Sequence, residues 1–202
     1  PPAEPLPPRP LAPSSLGEEA APDPPLPPGA AMDAARRGTL MHRLLERLPE
    51  IAADTREDSA RRWLARNAGD FAESDRDAML AATLSIVGDP QWAALFGPGS
   101  MAEVPFSAVV GGQVVAGTVD RLLIAADRIR IVDFKTARRP PAGLTEVPIA
   151  TLRQMAAYAA ALATIYPGRT VEAAILYTAT PQLIALPLDI LERHKPLLRA
   201  SE

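Results

Sequence analysis

Two stretches decide how this chain is read: Gly117-Thr118-Val119-Asp120-Arg121-Leu122-Leu123-Ile124 and Ile129-Arg130-Ile131-Val132-Asp133-Phe134-Lys135. Aliphatic and β-branched residues dominate both, so each is predicted to be a strand, with a turn near Asp127 joining them as a hairpin. Each carries one acid in apolar surroundings: Asp120 beside Val119, Leu122 and Leu123, and Asp133 after Ile131 and Val132. Burying a carboxylate is costly without a partner or a cation. Two acids meeting across a hairpin repel unless a positive ion sits between them. Oxygen-only ligation favours a hard ion such as magnesium or manganese. Asp133 and Lys135 are two residues apart and therefore share a strand face. A metal-binding carboxylate beside an amine suits activation of water against a phosphodiester. Read by itself, Asp133-Phe134-Lys135 is more simply a strand-end salt bridge.

Outward from this hairpin the pattern alternates between periods. Ala102–Val110 is predicted to be a strand turning at Gly111-Gly112 into Val114–Ala125, which with Ile129–Lys135 makes an antiparallel meander. Before it, Leu40, Leu44, Leu45 and Leu48 recur at helical spacing over about Ala34–Leu48, with Pro49 as a stop. Asp58–Ala68 and Ser74–Val87 read as further helices, the latter with Ser74 as its cap, and Pro90–Phe96 as a short helix or turn. After the meander, a proline-rich loop over Arg139–Pro148 leads into a long amphipathic helix over Ile149–Tyr166. Strands are expected at Val171–Thr178 and Gln182–Leu186, and a closing helix at Leu188–Arg199. This order predicts an α/β fold, a mixed sheet covered by helices, with an N-terminal helical section.

Residues 1–30 differ from the rest. Pro1 to about Gly29 holds more than half of the 23 prolines and shows no apolar period, so residues 1–30 are expected to be a disordered linker and residues 31–202 one folded domain. The chain starts at Pro1 rather than Met, and a fragment with a folded part before the linker is expected. Charge and cysteine content narrow the function. With no cysteine, thiolate zinc sites and iron–sulfur clusters are excluded within the chain. No apolar run spans a membrane and no secretion signal opens the chain, so a cytoplasmic place is expected. A net charge of −3 gives no overall basic footprint, so nucleic-acid affinity would need a local patch. Arg121, Arg138, Arg139 and Arg153 are the candidates for that patch. Only Lys135 and Lys195 among 21 basic residues are lysines, which marks Lys135 as a place where an amine itself is wanted.

Several residues recur in one order along the chain: Gly38-x-x-x-His42, Glu103, Gly117-x-x-Asp120, Asp133-Phe134-Lys135 and Gln154-x-x-x-Tyr158. Together with the strings RRGTLMHRLLERLP, GTVDRLLI, VDFKTARRPP and LRQMAAYAAALATIYPGR, this set resembles the RecB-like nucleases of the PD-(D/E)XK superfamily. It is most similar to the nuclease domains of AddA-type helicase–nuclease subunits, over about Arg36 to Pro187. The resemblance implies a restriction-endonuclease-like core and a Mg2+-dependent deoxyribonuclease, with Mn2+ able to substitute. It implies exonuclease action on single-stranded DNA ends within a helicase–nuclease complex of double-strand-break repair and recombination. An AddB-like partner and upstream helicase domains would complete that complex, since no G-x-x-x-x-G-K-[ST] loop occurs here. It also implies roles: Asp120, Asp133, His42 and the Phe134 carbonyl as metal ligands, Lys135 on the attacking water, Glu103 nearby, and Gln154 and Tyr158 toward nucleic acid. From the residues alone, Gly117 marks either a bulge or a close backbone approach. A catalytically silent DNA-binding relative is the competing reading, which loss of an Asp or Lys of the set would mark.

Overall fold

The computed structural model describes residues 11–12, 28–137 and 139–195. Helix α1 (Pro28–Arg47) is followed by α2 (Ala53–Asn67), α3 (Glu73–Gly88) and the short α4 (Ala93–Phe96). Strands β1 (Ser100–Val110), β2 (Gln113–Ile124) and β3 (Arg128–Lys135) follow, then α5 (Ile149–Ile165), β4 (Thr170–Tyr177), β5 (Gln182–Leu186) and α6 (Leu188–Arg193). The strands form one sheet in the order β1-β2-β3-β4-β5. Both joints of the meander are antiparallel, β3 and β4 are parallel, and β5 returns antiparallel. The expected mixed α/β sheet is therefore present. The parallel joint follows from α5, because a helical crossover returns the chain to the end from which β3 started.

The sheet divides the molecule into layers. Ile129 and Ile131 of β3 join a core with Val119, Met155, Leu162 and Ile175 on the α5 side. Val132 and Phe134 join Leu45, Ile86, Trp92 and Leu176 on the other side. β3 is thus covered on both faces, which accounts for its near-continuous apolar run. A separate core of Leu40, Met41, Leu44, Leu64 and Met79 binds α1 to α2 and α3.

Several expectations need correction. The last residues assigned to the linker, 28–30, open α1 instead: proline suits a helix start, and the following alanines favour the helix. Ser74 is not the cap of α3, which begins after Ala72 without a side-chain cap. The helix over Ile149–Ile165 is not amphipathic but buried around most of its surface, because its alanines let it lie close against the sheet. The final helix ends at Arg193, and residues 196–202 lie outside the described residues. So does most of the linker. Its described Leu11 makes a single parallel bridge to β2, donating to the Val114 carbonyl at 2.8 Å and accepting from the Ala116 N–H at 3.1 Å.

Candidate active site

Asp120 lies where the sheet comes apart. On one side the ladder runs from Ala102↔Arg121 to Val104↔Val119, and Glu103, which would face Asp120, stands out of it with φ +50°. A non-glycine residue held there costs about 1–2 kcal/mol, and the local structure must hold it. On the other side the β2–β3 ladder ends at Arg121↔Val132, one step before Asp133 would face Asp120. The carboxylate of Asp120 fills this opening. Its Oδ2 accepts the Phe134 backbone N–H at 2.5 Å. Val119 and Leu122, three positions apart, both pack toward α5, so the alternation of β2 slips at Asp120.

Helix α1 brings His42 to the same place. Ala35, Gly38, Thr39 and His42 recur at helical spacing and line an open cleft of about 410 Å³ together with Arg43, Glu103, Asp120, Phe134, Lys135 and Thr136. Gly38 permits this approach: a Cβ there would stand 2.8 Å from Thr136 Oγ1. His42 Nδ1 is 3.4 Å from Asp120 Oδ1, and its ring meets Phe134 edge-on at 5.7 Å. Nitrogen or oxygen donors of His42, Glu103 and Asp120 all lie within 4.8 Å of one another. Burial would lower the His42 imidazole, but the hydrogen bond and charge of Asp120, with Asp133 behind it, outweigh burial and hold it above its ordinary value. Burial, then the charges of Asp120 and Glu46, hold Glu103 above the usual carboxylate range. Glu103 and Asp120 thus bring two carboxylates together, a repulsion that a cation would relieve.

A second cluster lies behind, toward α5. Asp133 is 5% exposed, and burial raises its carboxyl above the ordinary range, opposed by Lys135. Its Oδ1 accepts from Gln154 Nε2 at 3.2 Å. Its Oδ2 is 2.9 Å from Lys135 Nζ, yet has no hydrogen-bond donor in good alignment among the described residues. Lys135 Nζ donates to Gln154 Oε1 at 2.9 Å, and Gln154 Nε2 also donates to Tyr158 Oη at 3.0 Å. Burial, then Asp133, pushes the Tyr158 phenol far up, so it stays protonated. The salt bridge that the simpler reading of Asp133-Phe134-Lys135 foresees is therefore real, and it borders the cleft. Gly117 marks a close approach rather than a bulge: a Cβ there would meet the Phe106 and Tyr158 rings at 3.2 Å.

The candidates divide accordingly. His42, Glu103 and Asp120 meet, while Asp133 is engaged with Lys135 and Gln154 and is not among the three converging donors. These ligands suit a divalent cation, and the misaligned buried oxygen of Asp133 beside them fits the same purpose. Gln154 and Tyr158, expected to touch nucleic acid, are 5% and 3% exposed; Gln154 holds the lysine and aspartate from behind, and Tyr158 bonds to Gln154. Arg121, expected to touch phosphate, is 4% exposed and donates to the Leu45 carbonyl at 2.5 Å. Arg139 and Arg153 are exposed, and Arg138 lies outside the described residues. Thr39 and Arg43 were not foreseen in the cleft, although their spacing from Ala35 and His42 on α1 carries the signal.

No curated protein sequence matches this chain. Among solved structures, SSO0001 is 16% identical over 66% of this chain with a TM-score of 0.33, and this chain spans 66% of that one. The PD-(D/E)XK nuclease superfamily, in contrast, matches residues 17–195. That span takes in the cleft, so the chain belongs to the PD-(D/E)XK nuclease superfamily and its chemistry is that of a metal-dependent nuclease.

Proposed function

We propose that this domain hydrolyses phosphodiester bonds in single-stranded DNA, working from ends, as the nuclease part of a helicase–nuclease complex in double-strand-break repair. The observation that carries the reading is one cleft where His42, Glu103 and Asp120 stand with Lys135, whose amine pairs with the buried Asp133 behind it. A Mg2+ ion, or Mn2+ in its place, would supply Lewis acidity toward the phosphate and make the attacking water easier to deprotonate. Its ligands would be His42, Asp120 and Glu103, with Asp133 and the Phe134 carbonyl contributing from β3. Lys135 orients the attacking water through Nζ and meets the negative charge that develops on phosphate. Gln154 and Asp133 together hold that amine in place. Tyr158, protonated, fixes the other end of Gln154.

Arg43 at the cleft and the exposed Arg139 and Arg153 would form the local cationic surface that the net charge of −3 does not reveal. The resemblance to AddA-type subunits supports upstream motor domains, an AddB-like partner and work in the bacterial cytoplasm at the nucleoid. No described helix is long and apolar enough to cross a membrane. The test is cleavage of end-labelled single-stranded and blunt duplex DNA with Mg2+, Mn2+ or excess EDTA. Shortening of the single strand from an end, stopped by chelation, is expected. Undiminished cutting in EDTA overturns the mechanism, and metal-dependent DNA binding without cutting would favour the silent relative.

A further inference from the structure

Helix α1 ends with an acceptor that it cannot satisfy itself. The carbonyl of Leu45 would normally receive the N–H four residues on, but that residue is Pro49, which has none. Arg121 supplies the donor from another element. Its Nη2 lies 2.5 Å from the Leu45 carbonyl and 3.4 Å from that of Glu46, while its guanidinium sits over the Phe96 ring at 5.0 Å. Its Nε is buried without a hydrogen-bond partner among the described residues. Burying a guanidinium this way is costly, and a neutral side chain would fill the space more cheaply.

What the charge secures follows from its neighbour in sequence. Asp120 and Arg121 are consecutive on β2, and both grip the same stretch of α1. Asp120 contacts the His42 imidazole, and Arg121 contacts the backbone one turn further on. The helix is thereby fixed at two points against one short piece of strand, which sets both its height and its rotation. We propose that Arg121 is a positioning residue: it fixes the distance between His42 and Asp120 by tying down the helix end that Pro49 leaves without a donor. This rests on reading His42 and Asp120 as metal ligands. A lysine offers three N–H donors on a single nitrogen but not a flat group that lies on Phe96 while reaching two carbonyls.

The experiment uses the whole chain and two readouts, one of them independent of metal. The chain has only two histidines, His42 and His194, so both imidazoles can be followed by NMR, with His194 as the internal control. In metal-free protein, Arg121→Met should move the His42 ring signals toward those of a free imidazole, as the ring leaves the edge of Phe134, while His194 stays. In Mn2+ titration the same variant should bind about tenfold more weakly, Arg121→Lys less so. His42→Ala combined with Arg121→Met should bind no worse than His42→Ala alone. Unmoved His42 signals in folded Arg121→Met, or additive losses in the double variant, would overturn the proposal. Should Arg121→Met fail to fold, Arg121→Lys decides, and wild-type behaviour in both readouts rejects it. Wild-type protein that binds no Mn2+ would instead defeat the nuclease reading, while the His42 signals would still report on Arg121.

Discussion

Asp120 and Asp133 stand in adjoining strands of one sheet, yet their surroundings are opposite. Asp120 opens onto a cleft shared with His42 and Glu103, where two carboxylates come within 4.8 Å of each other and of the imidazole. Asp133 is buried against α5, with Lys135 and Gln154 at its oxygens. The first half of the site is poised for a cation and the second has one of its own. The two halves should therefore fail differently when altered: the open half by losing metal, the closed half by losing the placement of Lys135.

The largest effect should come from the open half. Asp120→Ala is expected to lower both Mn2+ affinity and DNA cleavage by at least about a hundredfold. It also removes the acceptor of the Phe134 N–H, so chemical denaturation should show a loss of about 1–3 kcal/mol. Relief of repulsion with Asp133 alone would have made the variant more stable. A stable variant that binds metal normally would erase the distinction between the halves.

Lys135→Arg tests the closed half. The charge beside Asp133 is kept, so the fold and Mn2+ binding should persist, whereas cleavage should drop by roughly a hundredfold, because a bulkier, planar guanidinium cannot place its N–H donors on the water and phosphate as the compact ammonium does. Wild-type cutting rates would reduce Lys135 to an ion-pair partner. Acidification should act on the open half first. His42 and Glu103 are both held above their ordinary values, so protons compete with metal at a higher pH than for unperturbed groups. Calorimetric Mn2+ affinity should therefore weaken by about tenfold or more between pH 8 and pH 6, and a flat profile would exclude His42 as a ligand. The smallest effect is expected at Gly117→Ala. Its Cβ would press on Phe106 and Tyr158 at 3.2 Å, costing about 1–3 kcal/mol in thermal or chemical unfolding while leaving Mn2+ affinity unchanged.

The legible parts of the site are those fixed by short spacing. Asp133 and Lys135 share a strand face, and Gln154 and Tyr158 share a helix face, because Cβ directions repeat every second residue in a strand and nearly every fourth in a helix. The hairpin at Gly111-Gly112 was equally plain, and both glycines have positive φ, +53° and +83°. Glu103 could be marked as a candidate, but not its left-handed backbone, which accompanies the break in the β1–β2 ladder opposite Asp120. Arg121 was misread for a related reason. Whether an arginine in a strand reaches solvent or a helix end is decided by what packs over it, and here that is the last turn of α1.

By itself, the sequence determined the sheet and helix order, the acids on the hairpin and the residue pairs that share a face, since local periodicity dictates side-chain direction. Only the tertiary structure decided that α1 docks His42 beside Glu103 and Asp120, and that Asp133 turns to Lys135 and Gln154. It also decided that Arg121 is buried under α1. These contacts join elements distant in the chain, and their geometry is set by packing and by the opening of the sheet around Asp120, which no short stretch encodes.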